Sequence, residues 1–477
     1  MNYKMIGYIL GWIIFFSGGF LAVPVITAIV YGEKEIFAYL GVMLFCLIAG
    51  RLITLKRPQN TNLFSRDGFM IVALSWIVLS LFGALPMFLC GDIKSFVDAL
   101  FESVSGFTTT GASIMTSVEA ASKATLIWRS FSHWIGGMGV LVFVMAFLPL
   151  SGGQNMHIMK AESPGPSVSK LVPRVKTTAF LLYSIYFILT LIEFVALLFG
   201  GMPVFDAICT SIATAGTGGF GIYNNSMAGF TPAIQIIVTV FMILFSINFN
   251  SYYLIYSRKF KEAFTVEVKV FLLIVFSSIA IITLNISGMY EKIGDCIRHA
   301  AFAVGSVIST TGFATEDFNL WPELSRTVLV LIMFIGACAG STGGGIKVSR
   351  FLILFKTIGK ELDGIIHPKQ VKKIKIGSHE VEHEVLRSVN VYLICYFVIY
   401  VVSMLLISFD NHDLITNFTA VAATINNIGP GLEMVGPTAN YAFFSDGAKL
   451  VLMFDMLAGR LELFPLLLLL KPSAWKK

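Results

Sequence analysis

Charged residues are scarce in this sequence, and their scarcity decides its class. Only 13% of the 477 residues are charged, whereas 56% are hydrophobic. Soluble globular proteins carry about 25% charged residues. The composition therefore predicts an integral membrane protein, with the lipid bilayer as its surroundings. The net charge of +6 does not indicate nucleic acid binding, because the basic residues lie at the ends of apolar runs.

Cysteine pairs and nucleotide-binding motifs are missing as well. The six cysteines are scattered and no CxxC occurs, which excludes a zinc knuckle and gives no sign of a disulfide framework. The glycine-rich run at 340–347 superficially resembles a phosphate-binding loop. That motif requires Gly-Lys-Ser/Thr, but here Ile346 separates Gly345 from Lys347. We therefore expect no nucleotide site and no organic cofactor in this chain.

One catalytic pattern is present, the H-E-x-x-H sequence of zinc proteases at 379–383. Zinc binding there requires both histidines on one face of a helix, together with a third ligand. The preceding residues alternate and then turn, which predicts a hairpin strand in a charged loop. We interpret the pattern as solvated surface. A membrane zinc protease is an alternative that depends on this pattern alone.

Long apolar runs are abundant, and hydropathy predicts about ten spanning segments. The run from Met1 to Val30 is long enough to span, so we expect a retained helix and not a cleaved signal. The first two spans, 4–30 and 35–55, form a hairpin. The other spans are predicted at 68–90, 124–150, 174–199, 231–256, 267–288, 326–356, 385–408 and 447–470.

A short pattern recurs four times between these runs. Each copy opens with a residue that we expect to cap a helix, namely Asp98, Asp206, His299 and Thr416. An apolar run follows and ends in small, hydroxyl or amide residues and a glycine. About ten helical residues rise roughly 15 Å, half of a hydrocarbon core of about 30 Å. Each copy therefore predicts a half-membrane helix and a loop that is buried in protein or lines water.

Four such loops suggest four walls around one aqueous path. A selectivity filter made of backbone carbonyls requires small residues and glycines that can adopt positive φ. A half-helix that ends at the filter also directs its negative dipole end toward a cation. Small-residue packing between helices is the alternative for any single copy. The predicted filter residues are Thr109, Thr110, Gly111, Thr217, Gly218, Gly219, Thr310, Thr311, Gly312, Asn427, Ile428 and Gly429.

These patterns define the expected architecture. The fold class is an all-α integral membrane protein with four pseudo-symmetric helix–pore-loop–helix repeats after an N-terminal two-helix hairpin. The hairpin occupies residues 1–66. The pore repeats occupy 67–173, 174–265, 266–383, which includes an intramembrane gate loop, and 384–477.

Lysine and arginine concentrate in one set of loops, which predicts the cytoplasmic side. Both termini then lie inside the cell, and the four repeat loops enter from the outer face. The outer loops are acidic or mixed, which raises the local concentration of cations. The basic set includes Lys56, Arg57, Lys160, Lys170, Arg258, Lys259, Lys372 and Lys476.

The four loops, together with HWIGGMG at 133–139, GACAGSTGGGIKVSR at 336–350, NNIGPGLE at 426–433 and AGRLELF at 458–464, carry a family resemblance. The chain resembles the Trk/Ktr/HKT superfamily of cation transporters over essentially its whole length, most closely the bacterial Trk-type potassium-uptake membrane subunits. The resemblance implies a homodimer in the bacterial inner membrane with one pore per subunit. It also implies a cytosolic ring of nucleotide-binding regulatory subunits. In the family a serine at the first filter glycine goes with sodium, so Gly111 implies potassium as the transported ion.

The glycine run at 340–347 interrupts an apolar span. Each glycine costs a helix about 1 kcal/mol relative to alanine, so we expect a break with a flexible linker. In the resembled family this segment obstructs the pore, and a matching arginine lies beneath the filter. The gate residues that follow are Gly343, Gly344, Gly345, Lys347 and Arg460. A kink with a snorkelling lysine and a structural ion pair for the arginine are the alternatives.

The sequence thus predicts a potassium-uptake subunit with channel-like permeation and no enzymatic activity. Arg129 and His133 are interpreted as structural residues. A cation-coupled secondary solute carrier is the alternative function; it would use broken helices and buried acids, whereas we expect a nearly acid-free core. Coupling of flux to protons or sodium, as in a symporter, stays open at this point.

Overall fold

The computed structural model describes residues 1–139, 175–369, 373–377 and 379–476. Helices dominate this part of the chain, which confirms the all-α class. They are α1 Tyr3–Phe20, α2 Ala22–Tyr31, α3 Ile36–Thr54, α4 Ser65–Leu89, α5 Phe96–Phe107, α6 Lys123–Gly137, α7 Val175–Phe199, α8 Val204–Ala215, α9 Pro232–Phe245, α10 Phe249–Tyr256, α11 Phe260–Ala263, α12 Val266–Ile286, α13 Ile293–Ile308, α14 Glu323–Ile335, α15 Val348–Ile366, α16 His383–Ile407, α17 Leu414–Ile425, α18 Asp446–Arg460 and α19 Phe464–Leu470.

Two short strands are the exception. Strands β1, Lys375–Ile376, and β2, His379–Glu380, form an antiparallel pair, as the alternating pattern before His379 predicted. The predicted cytoplasmic residues Lys160, Lys170 and Lys372 lie outside the described residues, as does the predicted span 124–150 beyond residue 139.

Within the described ranges, six helical segments are long and apolar enough to cross a membrane. They are Tyr3–Tyr31, Ile36–Thr54, Ser65–Leu89, Ala179–Phe199, Val266–Ile286 and His383–Asp410. The bent pair α9–α10 makes a seventh if it is counted as one span. A multi-pass membrane protein is therefore confirmed.

Two spans that were predicted as continuous helices are broken, so those predictions are wrong. The span 231–256 bends by 91° between α9 and α10, because the Asn248 side chain accepts a hydrogen bond from Asn250 N at 2.9 Å and starts a new helix. The span 447–470 breaks after Arg460, where Glu462 and Leu463 have φ of 58° and 68°. The break predicted within 326–356 is confirmed, since α14 ends at Ile335 and α15 begins at Val348.

Four short helices, α5, α8, α13 and α17, precede the four repeat loops. The predicted capping residues lie inside these helices, so that prediction is wrong for Asp98, Asp206, His299 and Thr416. Ser95 and Asp413 are the actual caps of α5 and α17, and their side chains accept hydrogen bonds from the backbone of residues three positions later. Each of these helices therefore begins before the start of the sequence pattern.

The N-terminal hairpin is held by close backbone approach between α1 and α3. A Cβ added at Gly50 would lie 2.5 Å from Phe15 N and 2.8 Å from Gly11 O. Small residues allow such an approach in membranes, where van der Waals packing drives helix association. Gly41, on the same helix, has nothing within 4 Å of an added Cβ.

We predict that Gly50→Ala destabilises the protein by roughly 1–3 kcal/mol, because the methyl group would overpack this contact. Thermal unfolding of the detergent-solubilised protein measures the effect. Gly41→Ala is the matched control, and it should leave the melting temperature unchanged or slightly higher, since alanine favours a helix by about 1 kcal/mol over glycine. Equal melting temperatures for the two variants would refute the contact.

Candidate functional site: a ring of four loops

Each of the four short helices ends in the same hydrogen-bonded turn. At the end of α5, Thr109 N donates to Gly106 O at 3.1 Å and Thr110 N donates to Ser105 O at 2.9 Å. This pair of bonds defines a Schellman motif, in which the residue after the helix cap is left-handed. The same pair recurs at Thr217 and Gly218, at Thr310 and Thr311, and at Asn427 and Ile428.

The left-handed residue in each turn is not glycine. The φ angles of Thr109, Thr217, Thr310 and Asn427 lie between 53° and 61°, a region that threonine rarely occupies. The glycine two positions later is also left-handed, with φ from 73° at Gly219 to 95° at Gly429. Positive φ was expected from the sequence at the four loop glycines. It was not expected at the residue two positions before each glycine, where the sequence shows only that a threonine or an asparagine recurs at this distance.

The four loops contact one another in a closed order. A Cβ added at Gly111 would overlap the carbonyl oxygen of Gly218 in the second loop. The same construction places Gly219 against Thr311 O and Gly312 against Ile428 O. At Gly429 the added Cβ would lie 2.7 Å from Thr110 O, back in the first loop. The twelve predicted filter residues are thus brought together in one ring.

Four carbonyl groups at this ring, one from each loop, have no donor among the described residues, whereas Gly429 O accepts a hydrogen bond from the Tyr441 hydroxyl at 2.7 Å. None of the described residues donates a hydrogen bond to the backbone oxygens of Thr110, Gly218, Thr311 or Ile428. The N–H groups of these four residues donate hydrogen bonds to carbonyl oxygens in the last turns of the short helices. Their carbonyl oxygens are therefore the polar backbone atoms of the loops that remain available to a ligand. Buried carbonyls without donors are rare in proteins, and a ring of them can replace the water shell of a cation.

A buried ion pair connects the segments that follow the first two loops of the ring. Arg129 Nε lies 2.7 Å from Glu102 Oε1, and both side chains are almost completely buried. Glu102 also accepts a hydrogen bond from Ile114 N at 2.9 Å, just after the first loop. Arg129 donates to Gly221 O at 3.1 Å, just after the second loop. The pair therefore ties two neighbouring loops together, in agreement with the structural interpretation of Arg129.

His133 connects helix α5, which leads into the first loop, to Phe220, which follows the second loop. Phe220 N donates to His133 Nε2 at 3.2 Å, so Nδ1 carries the ring proton and donates to Gly106 O at 2.7 Å. A Cβ added at Gly218 would overlap the imidazole. The histidine therefore explains why the second loop has glycine where the first and third loops have threonine.

The glycine loop, residues 336–347, lies directly beneath the ring. A Cβ added at Gly343 would lie 2.8 Å from Ser309 O, and one at Gly344 would overlap Asn426 O. Gly345 has φ of 78° and packs on Gly336. The break was predicted from the weak helix propensity of glycine. Close approach of the backbones is a second requirement that the sequence did not show.

Lys347 and Arg460 both lie at this loop, as expected. Lys347 is 1% exposed and its Nζ donates to Gly343 O. The Arg460 guanidinium donates to Thr342 O at 2.9 Å and to Gly137 O at 2.6 Å. Glu462 pairs with Arg350; it lies beyond Arg460, the last residue of α18, and has φ of 58°.

The expectation of a nearly acid-free core is wrong. Besides Glu102, the residues Glu193 and Asp455 are fully buried in helices α7 and α18. Asp455 accepts a hydrogen bond from Ser403 Oγ at 2.6 Å. Neither carboxylate oxygen of Glu193 has a partner among the described residues. Single acids in apolar runs were visible in the sequence, but their burial was not.

The zinc-protease pattern does not form one helix. His379 lies on β2, whereas His383 is the first residue of α16. The two residues therefore do not lie on one helix, which this class of zinc site requires. No group of three His, Cys, Asp or Glu side chains that could hold a metal occurs among the residues the structure describes.

Comparison with known proteins assigns the chain to a class of transporter. Residues 35–477 match the TrkH family model, described as cation transport protein. The chain is 36% identical to the Trk system potassium uptake protein TrkH of Salmonella typhimurium, with 100% of both chains covered. It is 34% identical to the Trk system potassium uptake protein TrkG of Escherichia coli, with 99% of both chains covered.

A solved structure agrees with these relatives. The crystal structure of the potassium transporter TrkH from Vibrio parahaemolyticus superimposes with a TM-score of 0.90 at 34% identity, covering 100% of both chains. The chain belongs to the TrkH family of cation transport proteins. The family resemblance drawn from the loop motifs is therefore confirmed.

We predict that Glu102→Ala strongly destabilises the protein, because breaking a buried ion pair strands Arg129 without a partner, at a cost of about 3–5 kcal/mol. Thermal unfolding in detergent measures the loss. The double variant Glu102→Leu with Arg129→Met removes both charges and should lose less. A single variant as stable as the parent, or more stable than the double variant, would show that the pair does not brace the loops.

Proposed function

We propose that this chain is the membrane subunit of a potassium-uptake system, through which ions permeate as in a channel. One observation carries the proposal: the closed ring of four loops, each of which contributes one carbonyl oxygen without a donor among the described residues. Its relatives named as potassium uptake proteins support the choice of ion. The chain binds potassium as cargo and performs no catalysis.

Potassium reaches the ring from the outer side. A cavity of about 350 Å³ lies against Gly111, Gly219, Gly312 and Gly429 and opens toward the outer loops. An ion that enters it would exchange water for the donor-free carbonyls of Thr110, Gly218, Thr311 and Ile428. The four short helices end at this point, so their negative dipole ends stabilise a cation by electrostatic attraction.

The glycine loop with Lys347 and Arg460 forms the gate below the ring. A narrow passage occupied by backbone, with two cationic side chains beside it, opposes a cation both sterically and electrostatically. Lys347 is buried and Arg460 is held by backbone carbonyls. Opening therefore requires the loop to move aside.

The assembly proposed from the family resemblance is a homodimer in the bacterial inner membrane, with the basic loops and both termini in the cytoplasm. A cytosolic ring of nucleotide-binding subunits would dock on that face. The hairpin 1–66 and the four pore repeats from 67 to 477 are the proposed units.

Rubidium flux tests the function directly. Proteoliposomes that hold the purified protein should accumulate radioactive rubidium, and external potassium should compete better than sodium. Liposomes without protein provide the baseline. The assay should be run with and without a bacterial cytosolic extract and added nucleotide. If neither condition gives rubidium flux, a potassium pathway is contradicted.

Proton-coupled uptake, the behaviour of a cation-coupled carrier, is a second candidate that one observation favours. Glu193 is fully buried and its carboxylate has no partner among the described residues, and such acids in membranes often mark proton relays. An inward proton gradient should then drive rubidium uptake against its own gradient. Uptake that is indifferent to the gradient would eliminate this candidate.

We predict that Gly111→Ser reduces the discrimination between potassium and sodium on the order of tenfold, about 1.4 kcal/mol of differential binding. The added Cβ would displace the Gly218 carbonyl from the ring. Sodium competition in the rubidium assay measures the change. Gly229→Ser is the control, because its added Cβ meets only the Asn225 amide at 3.4 Å. Unchanged competition in Gly111→Ser would contradict the filter assignment.

We predict that deletion of Gly343 to Gly345 raises rubidium flux, because the passage beneath the ring would lose the backbone that fills it. Sodium competition in the same vesicles reports separately whether the ring, which Gly343 and Gly344 contact, keeps its preference for potassium. Flux that falls or stays the same in a well-folded variant would show that the loop is a kink and not a gate.

A further inference from the structure

The glycine loop is hydrogen-bonded to two of the four filter loops from below. Gly344 N donates to the Thr310 hydroxyl at 2.6 Å. The next residue, Gly345, donates its N–H to Asn426 O at 3.1 Å. Thr310 and Asn426 are fully buried, so water does not compete for these bonds. The loop is therefore attached to the ring as well as placed beneath it.

This attachment is not shared by all four loops. Thr109 occupies in the first loop the position that Thr310 occupies in the third, yet its buried hydroxyl has no hydrogen-bond partner among the described residues. The hydroxyl of Thr217, in the second loop, donates to its neighbour Gly216 O at 2.7 Å. Only the third and fourth loops bond to the glycine loop, so the contact is specific and not a consequence of the repeat.

Thr310 takes part both in the turn of the third filter loop and in the hydrogen bond to the glycine loop. Its backbone is the left-handed residue of the third loop, with φ of 61° and its N–H bonded to Val307 O at 3.1 Å. Its β-branched side chain has few rotamers, so the hydroxyl position follows the backbone closely. A change of backbone at the ring would therefore move the acceptor away from Gly344.

Asn426 is fixed in a similar way. Its side chain accepts a hydrogen bond from the Tyr396 hydroxyl at 3.0 Å and donates to Ala422 O at 2.9 Å. With both ends of the amide held, its backbone carbonyl keeps a constant direction toward Gly345. The two acceptors thus present a rigid edge to which the loop is bonded.

We propose that Thr310 and Asn426 are latch residues that hold the glycine loop closed, and that Thr310 couples loop position to ion occupancy of the ring. Potassium bound at the carbonyls keeps the third loop in its left-handed turn and the latch intact; loss of the ion loosens both. By thermodynamic linkage, release of the loop weakens ion binding to the same extent. The inference depends on the proposed function of ring and loop.

Native Cys338 provides the probe, since it lies in the loop and is 0% exposed. Its neighbour Ala337 donates to Gly344 O at 3.4 Å, so displacement of Gly344 loosens the segment around the thiol. Alkylation of the full-length protein with N-ethylmaleimide, quantified for each cysteine by mass spectrometry, reports loop release. Cys46 and Cys296 are also fully buried, but in helices α3 and α13, and serve as internal controls for folding.

In potassium, Thr310→Val should accelerate Cys338 alkylation about fivefold to tenfold, as expected for loss of one buried hydrogen bond. Thr310→Ser should restore the slow rate. Thr239→Val, which removes a buried hydroxyl that bonds to Gln235 O within α9, should not accelerate it. Cys46 and Cys296 should stay slow in each variant. An acceleration in Thr239→Val equal to that in Thr310→Val, or none in Thr310→Val, would overturn the latch.

Ion dependence tests the coupling. Replacing potassium by choline should accelerate Cys338 alkylation in the parent protein and have a smaller effect in Thr310→Val; a parent indifferent to potassium would overturn the coupling. Rubidium flux in the same preparations distinguishes failure of the proposed function from failure of the latch. A parent without flux, whether or not cytosolic extract and nucleotide are added, refutes the proposed function, whereas a parent with flux whose Cys338 ignores Thr310→Val refutes only the latch.

Discussion

Backbone that is not helical cannot face lipid, because its polar groups would lack partners in the hydrocarbon. The structure meets this constraint at four places with one solution. Each short helix ends in a Schellman turn that returns two N–H groups to the helix. The following carbonyls are left together in a closed ring, shielded from lipid by the surrounding helices. The features of the site described above follow from how that ring is held and what lies beneath it.

Close contact from glycines of neighbouring segments holds the ring in place. An added Cβ would overlap Phe107 O at Gly136 and Ile425 O at Gly459, and at Gly343 it would lie 2.8 Å from Ser309 O. The ends of α5, α13 and α17 are therefore covered by backbone and not by side chains. This packing leaves little volume for a side chain, so the glycines of 136–137, 343–345 and 459 serve the ring as much as the loop glycines do.

Polar groups then distinguish the four loops, although the backbone repeats. The Glu102–Arg129 pair and His133 connect the first and second loops. The glycine loop bonds to the third and fourth loops from below. The ring thus has one half that the ion pair and His133 connect and one half that is bonded to the glycine loop, so the contacts of the four loops are asymmetric although the motif repeats.

Much of this was visible in the sequence, and the failures have physical causes. The loop glycines were predicted because they recur in a repeated pattern. The break after Ile335 was predicted because a run of glycines interrupts an apolar span. The bend at Asn248 was missed because one capping side chain inside an apolar run does not alter hydropathy. The true caps Ser95 and Asp413 lie outside the repeated pattern. The burial of Glu193 and the bond from Gly344 to Thr310 depend on segments far apart in the chain, which a single sequence does not bring together.

The central claim is that cations bind on the axis of the ring, among the carbonyls of Thr110, Gly218, Thr311 and Ile428. Anomalous diffraction from crystals grown in rubidium measures this most directly, because rubidium replaces potassium and scatters anomalously. The account predicts an anomalous peak on that axis, reduced when potassium competes and retained when sodium competes. Rubidium bound only elsewhere, with ordered loops and no peak between these four carbonyls, would contradict it.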